Sequence, residues 1–210
     1  RPGEVIPSHT VYIQSTSRDG TLRGNIFMRA FDGGMMRPGG VYEGNLVAEV
    51  AIGTHQGYMF SASAPIITEG IEARVTRNAF LKVAANQGIQ AGNLRAGLIN
   101  DNLILSGAQR GGTAISLIGQ TIFGQVGVYS LLIEDNYILG LRGLNAYGTS
   151  IGNVIVRNNQ FRASAGTVAE LLNYERNDYT FVGNAYRSGS AANQWFRINQ
   201  STYDLSGWTA

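Results

Sequence analysis

Cysteine is absent from the 210 residues, and proline, histidine and lysine are scarce. Without cysteine the chain can form neither a disulfide framework nor a thiol or zinc–cysteine site. The two histidines, which have no ligand pattern around them, give poor support for zinc. No apolar stretch reaches the roughly 18 residues that a membrane-spanning helix needs. No signal peptide is visible in the first residues, so the chain begins as though cut from a longer protein or already processed.

The cationic side chains are almost all arginine, because Lys82 is the only lysine. Arginine binds carboxylate, sulfate and phosphate groups through paired hydrogen bonds, which mildly favours an acidic polymer as ligand. A base-composition bias of the source genome explains the same preference equally well. The formal net charge is only +2 and there is no basic run, which disfavours nucleic acid as a partner.

Glycine, in contrast, is abundant at 28 residues, and the chain is 44% hydrophobic. A disordered glycine-rich linker would not be so hydrophobic, so the glycines indicate tight turns in a folded domain. The length is typical of one domain. No glycine-rich loop follows a strand and opens a helix, which disfavours nucleotide binding.

One short motif recurs along the chain: an asparagine with a large apolar residue three positions before it and another two positions after it. The asparagines are separated by 20, 33, 24, 34, 23 and 25 residues, and no copy breaks either apolar column. They are Asn25, Asn45, Asn78, Asn102, Asn136, Asn159 and Asn184. A repeat of this length indicates a solenoid.

The residues around each asparagine are largely β-branched or aromatic, which predicts two short strands that meet at a bend. Stacking the copies would bury the apolar columns and place the asparagines about 4.8 Å apart, so that their amides hydrogen-bond along the stack. A leucine-rich repeat has a similar asparagine but needs further leucines five and eight residues earlier. The position five residues earlier is glycine or alanine in the first four repeats and leucine only in the fifth, which does not fit that template.

From about residue 22 to residue 187 the pattern resembles the right-handed parallel β-helix of pectate-lyase-like proteins, whose coils contain three short strands and three turns. We therefore predict an all-β fold: a right-handed parallel β-helix solenoid of about seven coils with an asparagine ladder. Residues 1–21 would form an N-terminal cap, residues 22–190 the β-helix, and residues 191–210 a C-terminal capping tail.

Other segments complete the predicted coils. Residues 10–14 alternate in polarity and predict a strand that leads into the first coil. Short segments flanked by glycine are predicted to form the third strand of their coils; they include residues 88–91, 113–117 and 143–146. Two coils are longer than the rest, with extra residues within 54–69 and 109–127. Loops that project from a rigid scaffold are common places for binding and catalysis.

Three charged residues, Arg29, Glu49 and Lys82, occupy the position four residues after the asparagine in successive repeats. In register they would form one charge network on the outside of a sheet. A lyase that acts on an acidic polysaccharide needs a cation to neutralise the uronate carboxylate and a base to remove the C5 proton. A solvated row of ion pairs of little energetic weight explains the same residues.

The two histidines are the only side chains that titrate normally near neutral pH. His9 lies just before the first predicted strand, which contains Tyr12, and His55 lies in the first long loop. The candidate catalytic residues are therefore His9, Tyr12, Lys82 and His55. The candidate substrate-binding residues are Arg29, Arg37, Glu49 and Arg77.

A hydrolase would instead need two carboxylates across a groove. The early repeats offer Asp32, Glu43, Glu49, Glu69 and Glu72. Pairing with Arg23 of the neighbouring repeat would explain Glu43 equally well. No cofactor and no metal site are predicted; paired acidic residues could hold Ca²⁺, but no recognised loop pattern supports it.

Because a fold does not determine a function, different classes of function stay open. The resemblance implies a carbohydrate-active β-helix protein, extracellular or periplasmic, that acts as a lyase or, second, a hydrolase of an acidic, uronic-acid-containing polysaccharide. The alternative is a non-enzymatic β-helix module, a tailspike-like, adhesin-like or matrix-forming rod, that binds glycan or self-assembles as a homo-oligomer. A third interpretation is that the chain is the later part of a longer enzyme, with essential residues outside it.

Overall fold

The described residues form three sheets of nine, seven and seven strands, in which all strand pairs but one are parallel. The computed structural model describes residues 9–17, 19–57, 67–83, 87–106, 112–121, 124–140, 142–164, 166–172 and 178–209. Neighbouring strands in each sheet come from successive turns of the chain, so every coil contributes one strand to each sheet. This arrangement is a parallel β-helix, and the predicted fold class is confirmed.

Sheet A, with nine strands, forms one side of the coils. Its strands, in spatial order, are β1 (Tyr12–Ile13), β4 (Met35–Met36), β7 (Ile52–Gln56), β10 (Gln87–Gly92), β13 (Thr113–Gly119), β16 (Arg142–Gly148), β19 (Ala169–Leu171), β22 (Phe196–Ile198) and β23 (Ser201–Tyr203). Only the last pair, β22 with β23, is antiparallel. The glycine-flanked segments lie in β10, β13 and β16, which confirms them as third strands.

Sheets B and C meet at the repeated asparagine. Sheet B contains β2 (Gly20–Arg23), β5 (Gly39–Glu43), β8 (Ile71–Thr76), β11 (Leu94–Asn100), β14 (Val128–Glu134), β17 (Ile151–Arg157) and β20 (Tyr179–Val182). Sheet C contains β3 (Ile26–Met28), β6 (Leu46–Ala48), β9 (Ala79–Val83), β12 (Leu103–Ser106), β15 (Tyr137–Gly140), β18 (Gln160–Ala163) and β21 (Ala185–Ser188). Each asparagine lies between a strand of sheet B and the next strand of sheet C.

Both apolar columns of the repeat point into the core, in register from coil to coil. On sheet B the column is Leu22, Tyr42, Val75, Ile99, Ile133, Val156 and Phe181. On sheet C it is Phe27, Val47, Phe80, Ile104, Ile138, Phe161 and Tyr186. The rings of Phe27, Tyr42 and Phe80 stack inside the coils at 6.1 and 6.2 Å, so aromatic packing links the first three coils.

The asparagine ladder is continuous from Asn25 to Asn184. In each step the backbone N–H and the side-chain Nδ2 of one asparagine donate to Oδ1 of the next, at 2.9–3.1 Å. From Asn45 onward, Nδ2 also donates to a backbone carbonyl of sheet B in the preceding coil, at 2.8–3.0 Å. A side-chain amide offers two N–H donors beside a carbonyl acceptor, whereas a hydroxyl has only one donor, which explains why the repeat uses asparagine.

The residue directly before each asparagine has left-handed backbone geometry. These residues are Gly24, Gly44, Arg77, Asp101, Asp135, Asn158 and Gly183, with φ between 54° and 66°. Glycine, asparagine and aspartate adopt this conformation at the lowest cost, so residue type and bend agree in every coil except the one with Arg77. Asp101 and Asp135 therefore adopt the left-handed geometry that the bend requires.

The last residues pack against the end of the coils. Helix α1 (Leu205–Thr209) carries Trp208, whose ring stacks on Phe196 at 4.6 Å and meets Phe181 edge-on at 4.9 Å. Trp195 donates from Nε1 to the carbonyl of Ser190 at 3.2 Å. Both tryptophans thus contact the final coil. No helix among the described residues has the length and apolar character needed to cross a membrane.

The two long coils differ in where their extra residues lie. In the first, residues 54–56 belong to β7, so the prediction that His55 lies in a loop is wrong, and residues 58–66 fall outside the described residues. In the second, the extra length is divided between two turns on either side of β13, and parts of both turns are likewise outside them.

Candidate functional site

Three of the four residues predicted to be catalytic come together on the outer face of sheet A. Tyr12 in β1 is aligned with Met35 in β4, and Met35 is aligned with His55 in β7. His9, just before β1, forms an isolated parallel bridge with Asp32, just before β4. We call His9, Tyr12, Asp32, Arg37 and His55 the sheet A cluster.

Asp32 is the centre of this cluster. It is fully buried, its Oδ2 pairs with Nδ1 of His9, and the same oxygen lies 4.0 Å from Nε2 of His55. Its other oxygen accepts hydrogen bonds from the backbone N–H of Gly34 at 3.1 Å and of Thr10 at 3.4 Å. A buried carboxylate held in this way fixes the orientation of the His9 ring. Nε2 of His9 is then the ring nitrogen that Asp32 does not bind.

His9, Tyr12 and Arg37 form a continuous stack. The rings of His9 and Tyr12 are 5.1 Å apart and inclined by 25°, and the guanidinium carbon of Arg37 is 4.8 Å from the centre of the Tyr12 ring. The guanidinium therefore makes a cation–π contact. The His9 side chain is 31% exposed, so an imidazole, a phenol and a guanidinium adjoin one another where a ligand can reach the base.

His55 lies behind Asp32, with only 1% of its surface exposed. Burial lowers the pKa of His55 to about 4; the charge of Asp32 and a hydrogen bond with Gln90 oppose this shift, and His9 adds to it. The imidazole is therefore neutral at neutral pH. His55 is too deeply buried to touch a polymer and acts on the site only through Asp32.

The buried His55 makes stability depend on pH. Above about pH 6.5 the His55 imidazole is neutral in the folded and in the unfolded chain. Below about pH 6.5 the imidazole of the unfolded chain binds a proton, whereas that of the folded chain does so only near pH 4. Stability should therefore fall as the pH drops from about 6.5 to 4, by up to about 3 kcal/mol from this residue. When the free energy of unfolding is measured by denaturant at several pH values in that window, it should change less with pH for His55→Gln than for the wild type. An equal change with pH in both proteins would contradict a buried neutral His55.

Lys82, the fourth predicted catalytic residue, belongs to a different group. Arg29 Nε lies 3.2 Å and Lys82 Nζ 3.6 Å from the carboxylate of Glu49, at the corner between sheets C and A. The network predicted from their shared column therefore exists. The Arg29 and Lys82 side chains are 80% and 79% exposed, and a hydrogen bond from Arg29 together with both cationic charges lowers the pKa of Glu49. This is the geometry of a solvated row of ion pairs, and a role in catalysis or binding stays a prediction.

Arg77 lies at a third place, the bend between sheets B and C. Both Arg77 and Arg23 form ion pairs with Glu43, and the Nε of Arg23 donates to it at 2.8 Å. The pairing of Glu43 with Arg23 is thus confirmed. Together with Arg74 these residues line a small polar cavity of about 330 Å³. The eight predicted site residues thus fall into three separate groups, of which only the sheet A cluster contains a base, a phenol and a cation together.

A row of polar side chains along the outer face of sheet A was missed from the sequence. Continuing from His55, the register aligns Gln90, Ser116, Asn145, Glu170 and Arg197. Gln90 and Ser116 are only 2% and 1% exposed. Within the described part of the chain, the Ser116 hydroxyl has no hydrogen-bond partner. The polar residue at the same offset in each glycine-flanked strand was a signal for this row.

The row ends in a buried ion triad. The side chain of Glu170 is 5% exposed and lies 3.3 Å from Nη1 of Arg142 and 2.9 Å from Nη1 of Arg197. A carboxylate this deeply buried is stable only when it is paired. The triad therefore joins β16, β19 and β22 across the last three coils of the sheet.

The sheet A cluster thus places an imidazole, a phenol and a guanidinium beside one another, with a buried carboxylate against the imidazole. Comparisons with protein-family models, with curated proteins and with solved structures found no match to this chain. The parallel β-helix is established by its sheets and its ladder, and membership of the pectate-lyase-like superfamily stays a prediction. Among the described residues, no group of three or more His, Asp or Glu side chains is arranged to hold a metal ion.

Proposed function

We propose that this chain is a carbohydrate-active protein, extracellular or periplasmic, that cleaves an acidic, uronic-acid-containing polysaccharide by β-elimination. The observation that supports the proposal is the stack of His9, Tyr12 and Arg37 beside the buried carboxylate of Asp32. These residues offer the two functions that elimination needs, a base and a cation for the uronate carboxylate.

In this reaction the carboxylate of a bound uronate pairs with the guanidinium of Arg37. Neutralising that carboxylate makes the proton on the adjacent C5 more acidic. Nε2 of His9 takes the proton, the electron pair forms the C4–C5 double bond, and the bond from C4 to the glycosidic oxygen breaks. The hydroxyl of Tyr12, whose ring stacks on that of His9, donates the proton that the leaving oxygen requires.

Asp32 and His55 are positioning residues in this scheme. Asp32 holds Nδ1 of His9 and stabilises the imidazolium that forms when Nε2 takes the proton, as the carboxylate of a Ser-His-Asp triad does for its histidine. His55, neutral and buried, leaves the negative charge of Asp32 available to His9. Neither side chain reaches the surface.

A panel of uronic-acid polysaccharides tests the proposal. Elimination creates an unsaturated sugar, so ultraviolet absorbance and reducing ends should rise together with at least one polymer. Reducing ends without absorbance would replace the lyase by a hydrolase. No turnover of any polymer would contradict an enzymatic role for the described chain.

A non-enzymatic β-helix rod is the second candidate, and one observation favours it. The outer face of sheet C is apolar and partly exposed over five coils, which suits self-assembly rather than catalysis. This candidate predicts glycan binding without turnover, and the polysaccharide panel separates the two.

A further inference from the structure

Apart from Lys82 at the corner with sheet A, the first five strands of sheet C carry no charged residue on their outer face. Two outward columns flank the buried column of the repeat. They consist of Ile26, Met28, Leu46, Ala48, Ala79, Leu81, Leu103, Leu105, Tyr137 and Leu139. Ile26 is 69% exposed, Met28 48%, and Leu103 and Leu139 38% each. A contiguous apolar surface of this kind marks an interaction site.

The same two columns become mostly polar in the last two coils. There they contain Gln160, Arg162, Ala185 and Arg187. The guanidinium of Arg162 lies 5.4 Å from the ring centre of Tyr137, at the border of the apolar area. The fold thus accepts arginine at these positions, and the first five coils do not use it. Parallel strands that are apolar on both sides are normally covered on both sides.

We propose that a second copy of this chain covers the apolar part of sheet C in a face-to-face, two-fold symmetric dimer. A flat apolar sheet is complementary to another flat apolar sheet, and a two-fold interface uses the same surface on both partners. The proposal concerns a different side of the molecule from the sheet A cluster and does not depend on the proposed function.

Charges at the margins of the face support this occupant. Along the corner with sheet A, the first and third coils carry Arg29 and Lys82, and the coil between these two carries Glu49. The net charge of this corner is therefore positive. Along the bend with sheet B, the fourth and fifth coils carry the exposed Asp101 and Asp135. The basic corner and the acidic corner are diagonally opposite.

A two-fold axis that runs obliquely to the strands would bring each basic corner against the acidic corner of the other copy. Two packed sheets take either an aligned or a crossed arrangement, and the crossed one satisfies this pairing twice. The other charges along this bend are already paired: Arg23 and Arg77 with Glu43, and Arg157 with Glu134. The result is an apolar centre with a charged rim, the usual anatomy of a protein interface.

Sedimentation equilibrium and light scattering of the full chain test the proposal with Leu105→Arg. Leu105 lies near the middle of the face, in the column that already carries Arg162 and Arg187, so the variant should fold. The wild type should have the mass of two chains, and Leu105→Arg should raise the dimer dissociation constant by roughly a hundredfold. Arg187→Glu, outside the apolar part, should leave the dimer unchanged.

Charge reversal tests the orientation. Lys82→Glu and Asp101→Lys should each weaken the dimer, and the double variant should recover much of the loss because the opposed charges are again of opposite sign. A wild type that sediments as one chain at every concentration would overturn the proposal, even if the face bound some other molecule. A Leu105→Arg chain that folds and stays dimeric would overturn it as well.

Discussion

Replacing Asn136 with alanine should lower the free energy of unfolding by about 3 to 5 kcal/mol, because several buried polar groups would lose their partners at once. Oδ1 of Asn136 accepts from the backbone N–H and the side chain of Asn102 at 3.0 and 2.9 Å. Its Nδ2 donates at 2.9 Å to the carbonyls of Ile99 and Glu134 and to Oδ1 of Asn159. Alanine can replace none of these bonds.

Asn25→Ala is the matched control. Asn25 occupies the first step of the ladder, is only half-buried, and its side chain donates to Asn45 alone among the bonds described for it. Its replacement should cost less than about 1 kcal/mol, the typical net value of one hydrogen bond. Denaturant unfolding of both variants measures the difference. Equal small losses would mean that the ladder does not hold the coils together.

His9→Gln should lower the turnover of the responding polysaccharide by roughly 10²- to 10⁴-fold, the usual contribution of a positioned general base. Glutamine keeps a similar size and can still hydrogen-bond to Asp32, but it cannot take a proton near neutral pH. Since His9 is partly exposed, the thermal midpoint of the His9→Gln variant should stay close to that of the wild type. Turnover that survives the substitution would remove His9 from the role of base.

Lys82→Ala separates the sheet A cluster from the charged corner. The side chain of Lys82 is largely exposed, and it contacts Glu49 and not the sheet A cluster. Turnover should therefore remain near the wild-type value. A loss with Lys82→Ala but not with His9→Gln would move the site to the corner formed by Arg29, Glu49 and Lys82.

The fold could be predicted from the sequence because the repeat is anchored by a residue with one structural use. Each asparagine sets the register of its own coil, so columns such as Val75, Ile99 and Ile133 could be aligned without coordinates. The same alignment placed Arg29, Glu49 and Lys82 side by side. The alignment of residues that lie at a constant distance from the repeated asparagine can therefore be predicted from the sequence.

The candidate site was harder to predict because it lies far from any anchor. His9 precedes the first asparagine, and its bridge to Asp32 depends on how two turns of different length stack. Asp32 was named only as a candidate carboxylate for hydrolysis, and its place beneath His9 could not be read from spacing. The polar row that begins at His55 was missed for a related reason, since turns of variable length separate sheet A from the anchored strands.

The apolar outer columns of sheet C could be predicted from the sequence, but they are not among the predictions made from it. They lie one and three residues after each asparagine, where the register is well determined. Successive coils differ at these positions, as the aligned pair Leu139 and Arg162 shows. That contrast appears only when successive coils are compared on the outward side.

A crystal structure of the His9→Gln variant with an oligosaccharide of the responding polymer would test the location of the site most directly. We expect the carboxylate of one uronate to lie against the guanidinium of Arg37. The C5 of that uronate should face the side chain of residue 9, and the sugar ring should lie over the outer face of sheet A. An oligosaccharide bound instead at the corner of Arg29, Glu49 and Lys82, with the sheet A cluster empty, would contradict the account.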